Sequence, residues 1–187
     1  MNRESTTTPR IKPNGGGPRW YALYTRARHE KQVDARLQQR GIEAYLPLIP
    51  RERQWHDRKK IVPLPLFPSY VFARVAGNAL PPALSTPGVA SVVRLNGEPA
   101  PISDEEIENV RRFAVAVTET GLEPQPTPLV DEGQSVRIVS GPLSGVEGLV
   151  VERRGRWRAL VQVGVRAIGQ GLKIELDVRS LKPIAGS

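Results

Sequence analysis

The sequence predicts an α+β domain followed by a small all-β barrel, the two joined by a proline-rich tether. Three observations lead there. Short aromatic or Val-rich stretches alternate with Gly- and Pro-free helical stretches over the first hundred structured residues. Pro124, Pro126 and Pro128 then alternate with other residues in a segment without hydrophobic periodicity. Beyond them, Val-rich segments are separated by Gly141-Pro142, Gly145, Gly148, Gly155, Gly164, Gly169 and Gly171, which is the punctuation of a small barrel. A chain of 187 residues accommodates two such modules. The expected divisions are a disordered arm over 1–18, an α+β domain over 19–117, a linker over 118–130 and a barrel over 131–185.

Each element has a local reason. Met1 to Pro18 is polar and ends in Asn14-Gly15-Gly16-Gly17-Pro18, so it reads as a disordered arm. Trp20-Tyr21-Ala22-Leu23-Tyr24 reads as a strand. Arg28 to Arg40 lacks Gly and Pro and is closed by Gly41, which predicts a helix with a glycine stop. Val33 and Leu37 would face a core, while Arg28, Arg36 and Arg40 would form a basic stripe beside it. Glu43 to Ile49 reads as a second strand, and Arg51 to Lys60 as an exposed charged hairpin or loop.

Phe67 to Val75 predicts a strand apolar on both faces, with Tyr70 and Phe72 on one side and Val71, Ala73 and Val75 on the other. A one-sided helical layer would cover only one of them, leaving the other for a partner. Val89 to Leu95 supplies a further strand after the turn Thr86-Pro87-Gly88. Ser103 and Glu106 form a capping box that opens a second helix, whose acidic first turn suits the helix dipole. In the last module, 135–139, 148–152, 158–163 and 172–175 read as strands. Its density of Gly and β-branched Val and Ile opposes any helical alternative.

Charge and composition bound the function. The net charge is +8, and it is uneven: 15 basic and 6 acidic residues precede Val75, whereas 3 basic and 7 acidic residues lie between Val75 and Val130. A basic half suits a polyanion such as nucleic acid, or else is a solvated surface. Zero cysteines excludes disulfides, cysteine-ligated zinc and thiol nucleophiles. Met1 to Thr8 carries no secretory signal, and Ile61 to Ala73 is broken by three prolines and is too short to span a membrane. A cytoplasmic protein without a membrane partner is expected. His29-Glu30 and His56-Asp57 are adjacent pairs whose side chains diverge, and no phosphate loop, paired-histidine motif or nucleophile elbow occurs. The chain is therefore expected to act by binding, not as an enzyme, and to carry no metal or cofactor.

Two groups of motifs are more specific. The first is Trp20-Tyr21-Ala22-Leu23-Tyr24 with Leu66-Phe67-Pro68-Ser69-Tyr70-Val71-Phe72, then Pro87-Gly88-Val89 and Pro99-Ala100-Pro101-Ile102-Ser103. It resembles the N-terminal domain of NusG-type transcription factors. The second, Val136 to Val151 followed by Ile174-Glu175-Leu176-Asp177, resembles their C-terminal KOW module. Within the family, Tyr21 to Glu30, Gly41 to Pro47 and Leu66 to Ala73 look closer to the specialised antitermination paralogues of the RfaH and UpxY kind than to the housekeeping factor.

That resemblance implies a transcription elongation or antitermination factor with three kinds of partner. RNA polymerase would be met at the β′ clamp helices by Tyr24, Phe67, Pro68, Tyr70 and Phe72. Packing of these rings beneath a helix or hairpin is the other reading, and Trp20 is assigned to the core. Exposed non-template DNA would be held by Arg26, Arg28, Arg36, Arg40 and Thr86, with Arg19 and Ser85 nearby; arginine suits phosphates and unpaired bases. A small-subunit ribosomal protein or Rho would bind the KOW module near Pro142 and Leu143, where turn geometry explains the Gly and Pro equally well. The histidine-threonine motif that bridges to the β subunit in RfaH-like proteins is absent from Asn78 to Pro87, so that bridge is in doubt. The factor would act as a monomer. The competing expectations are a housekeeping factor acting genome-wide with Rho, and an RNA-binding or ribosome-associated KOW protein.

Overall fold

A computed structural model describes residues 17–55, 58–130 and 133–184; nearly all of the expected N-terminal arm, and His56 and Asp57, fall outside the described residues. In the first module the chain runs through β1 (Arg19–Thr25), α1 (Glu30–Gln39), β2 (Glu43–Tyr45), β3 (Leu48–Trp55), β4 (Arg58–Pro65) and β5 (Tyr70–Val75). It continues through α2 (Leu80–Leu84), β6 (Val89–Val92), β7 (Arg94–Leu95), β8 (Glu98–Pro99), β9 (Pro101–Ile102) and α3 (Asp104–Thr120). The central sheet has the order β2-β5-β1-β6, with β9 also paired to β1. These pairings are antiparallel, and the β1–β5 register sets Tyr24 opposite Tyr70. The hairpin β3–β4 carries the charged segment as expected, but it starts at Leu48 as a separate two-stranded ribbon.

Both faces of the sheet are covered. On one, Leu23, Val71, Ala73 and Val75 pack with Val33 and Leu37 of α1 and with Leu80 and Ala83 of α2. On the other, Trp20, Ala22 and Phe72 share a cluster with Ile107, Val110 and Phe113 of α3. The expectation of an uncovered second face is thereby corrected. Phe67 and Phe72 are only 2% and 0% exposed, and burying such a side chain stabilises by about 1.5–3 kcal/mol. Their rings meet edge to face, with centroids 6.1 Å apart, and Tyr45 stacks on Phe72.

Helix α1 starts two residues later than the sequence suggests, because Arg28 adopts a left-handed backbone (φ 65°), and it stops at Gly41 as anticipated. Helix α3 starts where expected: Ser103 Oγ accepts from the Glu106 N–H at 3.1 Å. The other half of the capping box is not made. Glu106 Oε1 accepts instead from the Arg166 N–H in the C-terminal unit, at 2.7 Å.

The expected linker over 118–130 is largely structured. Thr118 to Thr120 form the last turn of α3, which ends on Gly121 in the left-handed conformation. The hydroxyls of Thr118 and Thr120 donate to the carbonyls four residues back. Gln125–Pro128 form β10, which pairs along β14 (Gln170–Asp177). Proline is tolerated there because β10 is an edge strand whose outer side needs no N–H donors. Together with β11 (Gln134–Ile138), β12 (Glu147–Arg154), β13 (Arg158–Val165) and β15 (Leu181–Pro183), it builds a six-stranded antiparallel sheet of order β10-β14-β13-β12-β11-β15.

This sheet docks on α3. Ile138, Leu143, Val146, Val163 and Val165 join the cluster that holds Ile107, Val110 and Phe113. The Asn109 amide clips it in place, donating to the Glu147 carbonyl and accepting from the Glu147 N–H, both at 2.7 Å.

Candidate functional site

The site is assembled around the ends of β1 and β5. Tyr24 is 44% exposed, Tyr70 is half-buried and Pro68 is exposed. The two tyrosine rings meet edge to face with centroids 5.4 Å apart, a favourable geometry for aromatic pairs. Burial, and secondarily the neighbouring Tyr24, push the Tyr70 phenol above its usual range.

The turn between Phe67 and Tyr70 needs support, because Ser69 has a left-handed backbone (φ 66°). The buried carboxylate of Glu30, at the start of α1, supplies it by accepting from the Ser69 N–H at 2.8 Å. The Thr25 N–H donates to the Ser69 carbonyl at 2.8 Å, and the Arg26 N–H to the Gly88 carbonyl at 2.9 Å. Hydrogen bonds thus run from the aromatic pair through the β1–α1 loop to the turn before β6.

That turn forms the basic edge. Gly88 has φ +102°, and a Cβ there would lie 2.8 Å from Val33 Cγ2, so α1 and the turn approach each other closely. Arg36 Nη1 donates to the Pro87 carbonyl at 2.7 Å, and Arg40 donates to Thr86 Oγ1 at 2.9 Å and to Ser85 Oγ at 3.1 Å. The structure therefore brings together all five expected DNA-binding residues, but in two roles. Arg26 and Arg28 project from the exposed loop. Thr86 is 1% exposed and its hydroxyl accepts from Arg40, so its side chain is not presented at the surface as the sequence expectation requires. Arg19 lies apart, at the start of β1.

Three other expected contact residues are placed in the interior. Phe67 and Phe72 lie in the core, which confines the candidate contact surface to the aromatic pair Tyr24 and Tyr70 with the exposed Pro68 beside them. Leu143 is 2% exposed, packed into the cluster beneath α3, while Pro142 beside it is exposed. Trp20 is buried, as expected, and its indole N–H donates to Asp104 Oδ1 at 2.9 Å.

Four further residues organise the site without having been singled out in the sequence. Glu30 enters there beside His29, as an adjacent pair whose side chains diverge, and nothing local marks it as buried. Gly88 enters there as a turn residue and within the Pro87-Gly88-Val89 motif, neither of which announces its close approach to Val33. Asn109 lies in the middle of a helix and carries no motif. Arg111 stands over the rings of Tyr45 and Trp20, 4.6 and 5.7 Å from their centroids. The Tyr45 phenol is pushed up to about 12, chiefly by burial and against the lowering effect of Arg111. Glu106, at the junction with the C-terminal unit, is also raised by burial, partly offset by the Arg166 N–H. Among the described residues no group of His, Asp or Glu side chains gathers as metal ligands, and no helix is long and apolar enough to cross a membrane.

Residues 18–111 match the family model described as "Transcription termination factor nusG". The chain belongs to the NusG family. Relatives of this NusG-family chain named "Transcription termination/antitermination protein NusG" include that of Thermus thermophilus, 28% identical over 175 residues, covering 84% of this chain and 94% of the relative. That of Pseudomonas aeruginosa is 28% identical over 178 residues, covering 89% and 98% respectively. That of Escherichia coli K12 is 31% identical over 118 residues, covering 59% and 61%. A solved structure described as "Domain interaction in Thermotoga maritima NusG" aligns at 25% identity with a TM-score of 0.47, covering 90% of this chain and 98% of the other. The NusG-family match spans both tyrosines of the aromatic patch, the basic edge and the first half of α3.

Proposed function

We propose that this NusG-family chain is a transcription antitermination factor of selected operons, acting by binding alone. The observation that carries this reading is the continuity of the Tyr24–Pro68–Tyr70 patch with the basic edge through the Glu30–Ser69 and Arg26–Gly88 hydrogen bonds. Aromatic side chains make good interface anchors. Here they would seat on the clamp helices of the RNA polymerase β′ subunit. Arg26 and Arg28 would then face the exposed non-template strand, where a planar guanidinium bridges phosphates or stacks on a base. Binding the active enzyme more tightly than the paused one shifts the population towards elongation.

On this reading the C-terminal sheet closes as a KOW barrel and recruits a second partner, a small-subunit ribosomal protein or Rho, through Pro142 and Leu143. Leu143 is covered in the docked arrangement, so recruitment through it requires the sheet to leave α3. Once released, the tether would hold the recruited partner at high local concentration.

The interface is tested by the double substitution Tyr24→Ala with Tyr70→Ala. Tyr24 is exposed and Tyr70 half-buried at the edge of the core, so the thermal midpoint should fall by only a few degrees and the fold should persist. Affinity for core RNA polymerase should fall by roughly a hundredfold, in line with the loss of two interface anchors. Unchanged affinity would reject the assigned face. Genome-wide occupancy tests the role: enrichment at a few operons is expected, whereas uniform occupancy with loss of Rho-dependent termination on deletion would assign the housekeeping role.

A further inference from the structure

The tip of the β12–β13 hairpin carries an aromatic and cationic cluster that the function above does not use. Arg153, Arg154, Arg156 and Arg158 lie within four residues of Trp157 along the hairpin, and Trp157 is 52% exposed. The Arg156 guanidinium lies 4.8 Å from the indole centroid and that of Arg179 lies 5.6 Å from it.

The cluster is held in shape. Arg154 and Arg158 are cross-strand partners that close the turn, Gly155 provides its left-handed residue (φ 68°), and the Val178 N–H donates to the Trp157 carbonyl at 2.9 Å. Arg179 is fixed by Asp177, with donor–acceptor distances of 2.7 to 3.2 Å.

Two kinds of arginine are present. Arg154 pairs with Glu152 and Glu175, and Arg158 reaches Glu175 at 4.0 Å. Arg153 and Arg156 have no carboxylate within ion-pair distance among the described residues. A half-exposed indole with guanidiniums lying over its ring, beside an Arg153 without an ion-pair partner among the described residues, matches an unpaired base with its adjoining phosphates, the Arg156 side chain swinging from the ring to a phosphate as the base stacks. A protein anchor would instead be expected among apolar neighbours, and residues 152–158 are polar or charged apart from Gly155 and Trp157 itself. The tip is also seven residues along β12 from Glu147, roughly 20 Å from the docking contact, and so remains open whether or not the sheet is docked.

We propose that this tip is a second nucleic-acid site, in which Trp157 stacks on one unpaired base of a single strand while Arg153 and Arg156 meet the flanking phosphates. It does not depend on the polymerase-binding reading of the N-terminal face. The test is fluorescence anisotropy of the full chain with labelled 12-mers of oligouridylate, oligothymidylate and duplex DNA. Trp157→Ala should weaken single-strand binding roughly tenfold and leave duplex binding unchanged, while Trp157→Tyr keeps most of the affinity. Arg153→Gln with Arg156→Gln should lower the salt slope by about 1.4. The single strand that loses more affinity in Trp157→Ala, RNA or DNA, identifies the natural ligand. Absence of single-strand binding, unchanged affinity in Trp157→Ala, or equal loss on single strand and duplex would overturn the site. Loss confined to Arg26→Gln with Arg28→Gln would overturn it too, by placing all binding on the N-terminal edge.

Discussion

Replacing Asn109 by alanine should release the C-terminal sheet from α3 without unfolding either. The amide makes two hydrogen bonds to the Glu147 backbone, each at 2.7 Å and half-buried. At roughly 1 kcal/mol net apiece their loss costs about 2 kcal/mol, which shifts the docking equilibrium roughly 30-fold towards the open form. Amide hydrogen exchange reads this residue by residue. The Glu147 amide loses its own acceptor and must exchange faster in any case, so the informative reporter is the Arg166 amide, bonded to Glu106 at 2.7 Å elsewhere in the same interface. Its exchange should accelerate by the same order, while Val161 and Ile174 inside the sheet keep their protection. Acceleration at Glu147 alone would show that docking does not open as a unit. Equal loss of protection at Val161 and Ile174 would show that Asn109 supports the fold and not the docking. Either result would refute the reasoning.

Three further outcomes are expected. Glu30→Ala removes the buried acceptor of the Ser69 N–H and should cost about 1–3 kcal/mol in urea denaturation, with Glu30→Gln retaining most of the stability; an alanine variant as stable as the parent would show that the turn holds itself. Gly88→Ala combines a left-handed backbone with a Cβ 2.8 Å from Val33 Cγ2 and should destabilise by about 2–4 kcal/mol, so a loss below about 0.5 kcal/mol would contradict the close approach. The Tyr45 phenol, raised to about 12 when folded, stays neutral after an unfolded tyrosine has ionised near 10. Its contribution to stability is therefore complete below about pH 10 and lost as pH rises through about 12. In spectrophotometric titration, Tyr45→Phe should remove the highest of the tyrosine steps; persistence of that step would assign it elsewhere.

Much of the fold was legible because its signals are local. The helix ending at Gly41, the capping serine at 103 and the glycine-punctuated strands of the C-terminal unit all follow from residues close to the features they shape. What escaped depends on distance along the chain. Alternation correctly separated Tyr70 and Phe72 from Val71 and Ala73, but the helix covering Phe72 begins some thirty residues later, and nothing beside Phe72 announces it. Helix α3 is buried on two sides, against the first sheet and against the second, so its apolar residues spread too widely to read as a single stripe. The prolines of 124–128 looked like a free tether because proline disfavours strands generally, whereas an edge strand accepts it. At the candidate site, the clustering of Arg26, Arg28, Arg36, Arg40 and Thr86 was legible. The division between the loop cations Arg26 and Arg28 and the two arginines hydrogen-bonded to the 85–87 turn was not, because it depends on hydrogen bonds spanning about fifty residues.

The short connection between α3 and β10 also sets a length scale. Only residues 121–124 lie between the helix and the edge strand, and the Pro124 carbonyl is itself held by Arg51 at 2.7 Å. Four residues extend to about 14 Å at most, so a sheet that merely lifts from α3 stays within touching distance of it. Peeling β10 away from β14 would add four residues and roughly double that span. The leash of this protein is thus stored as a strand, and its two lengths differ by the breaking of one row of sheet hydrogen bonds.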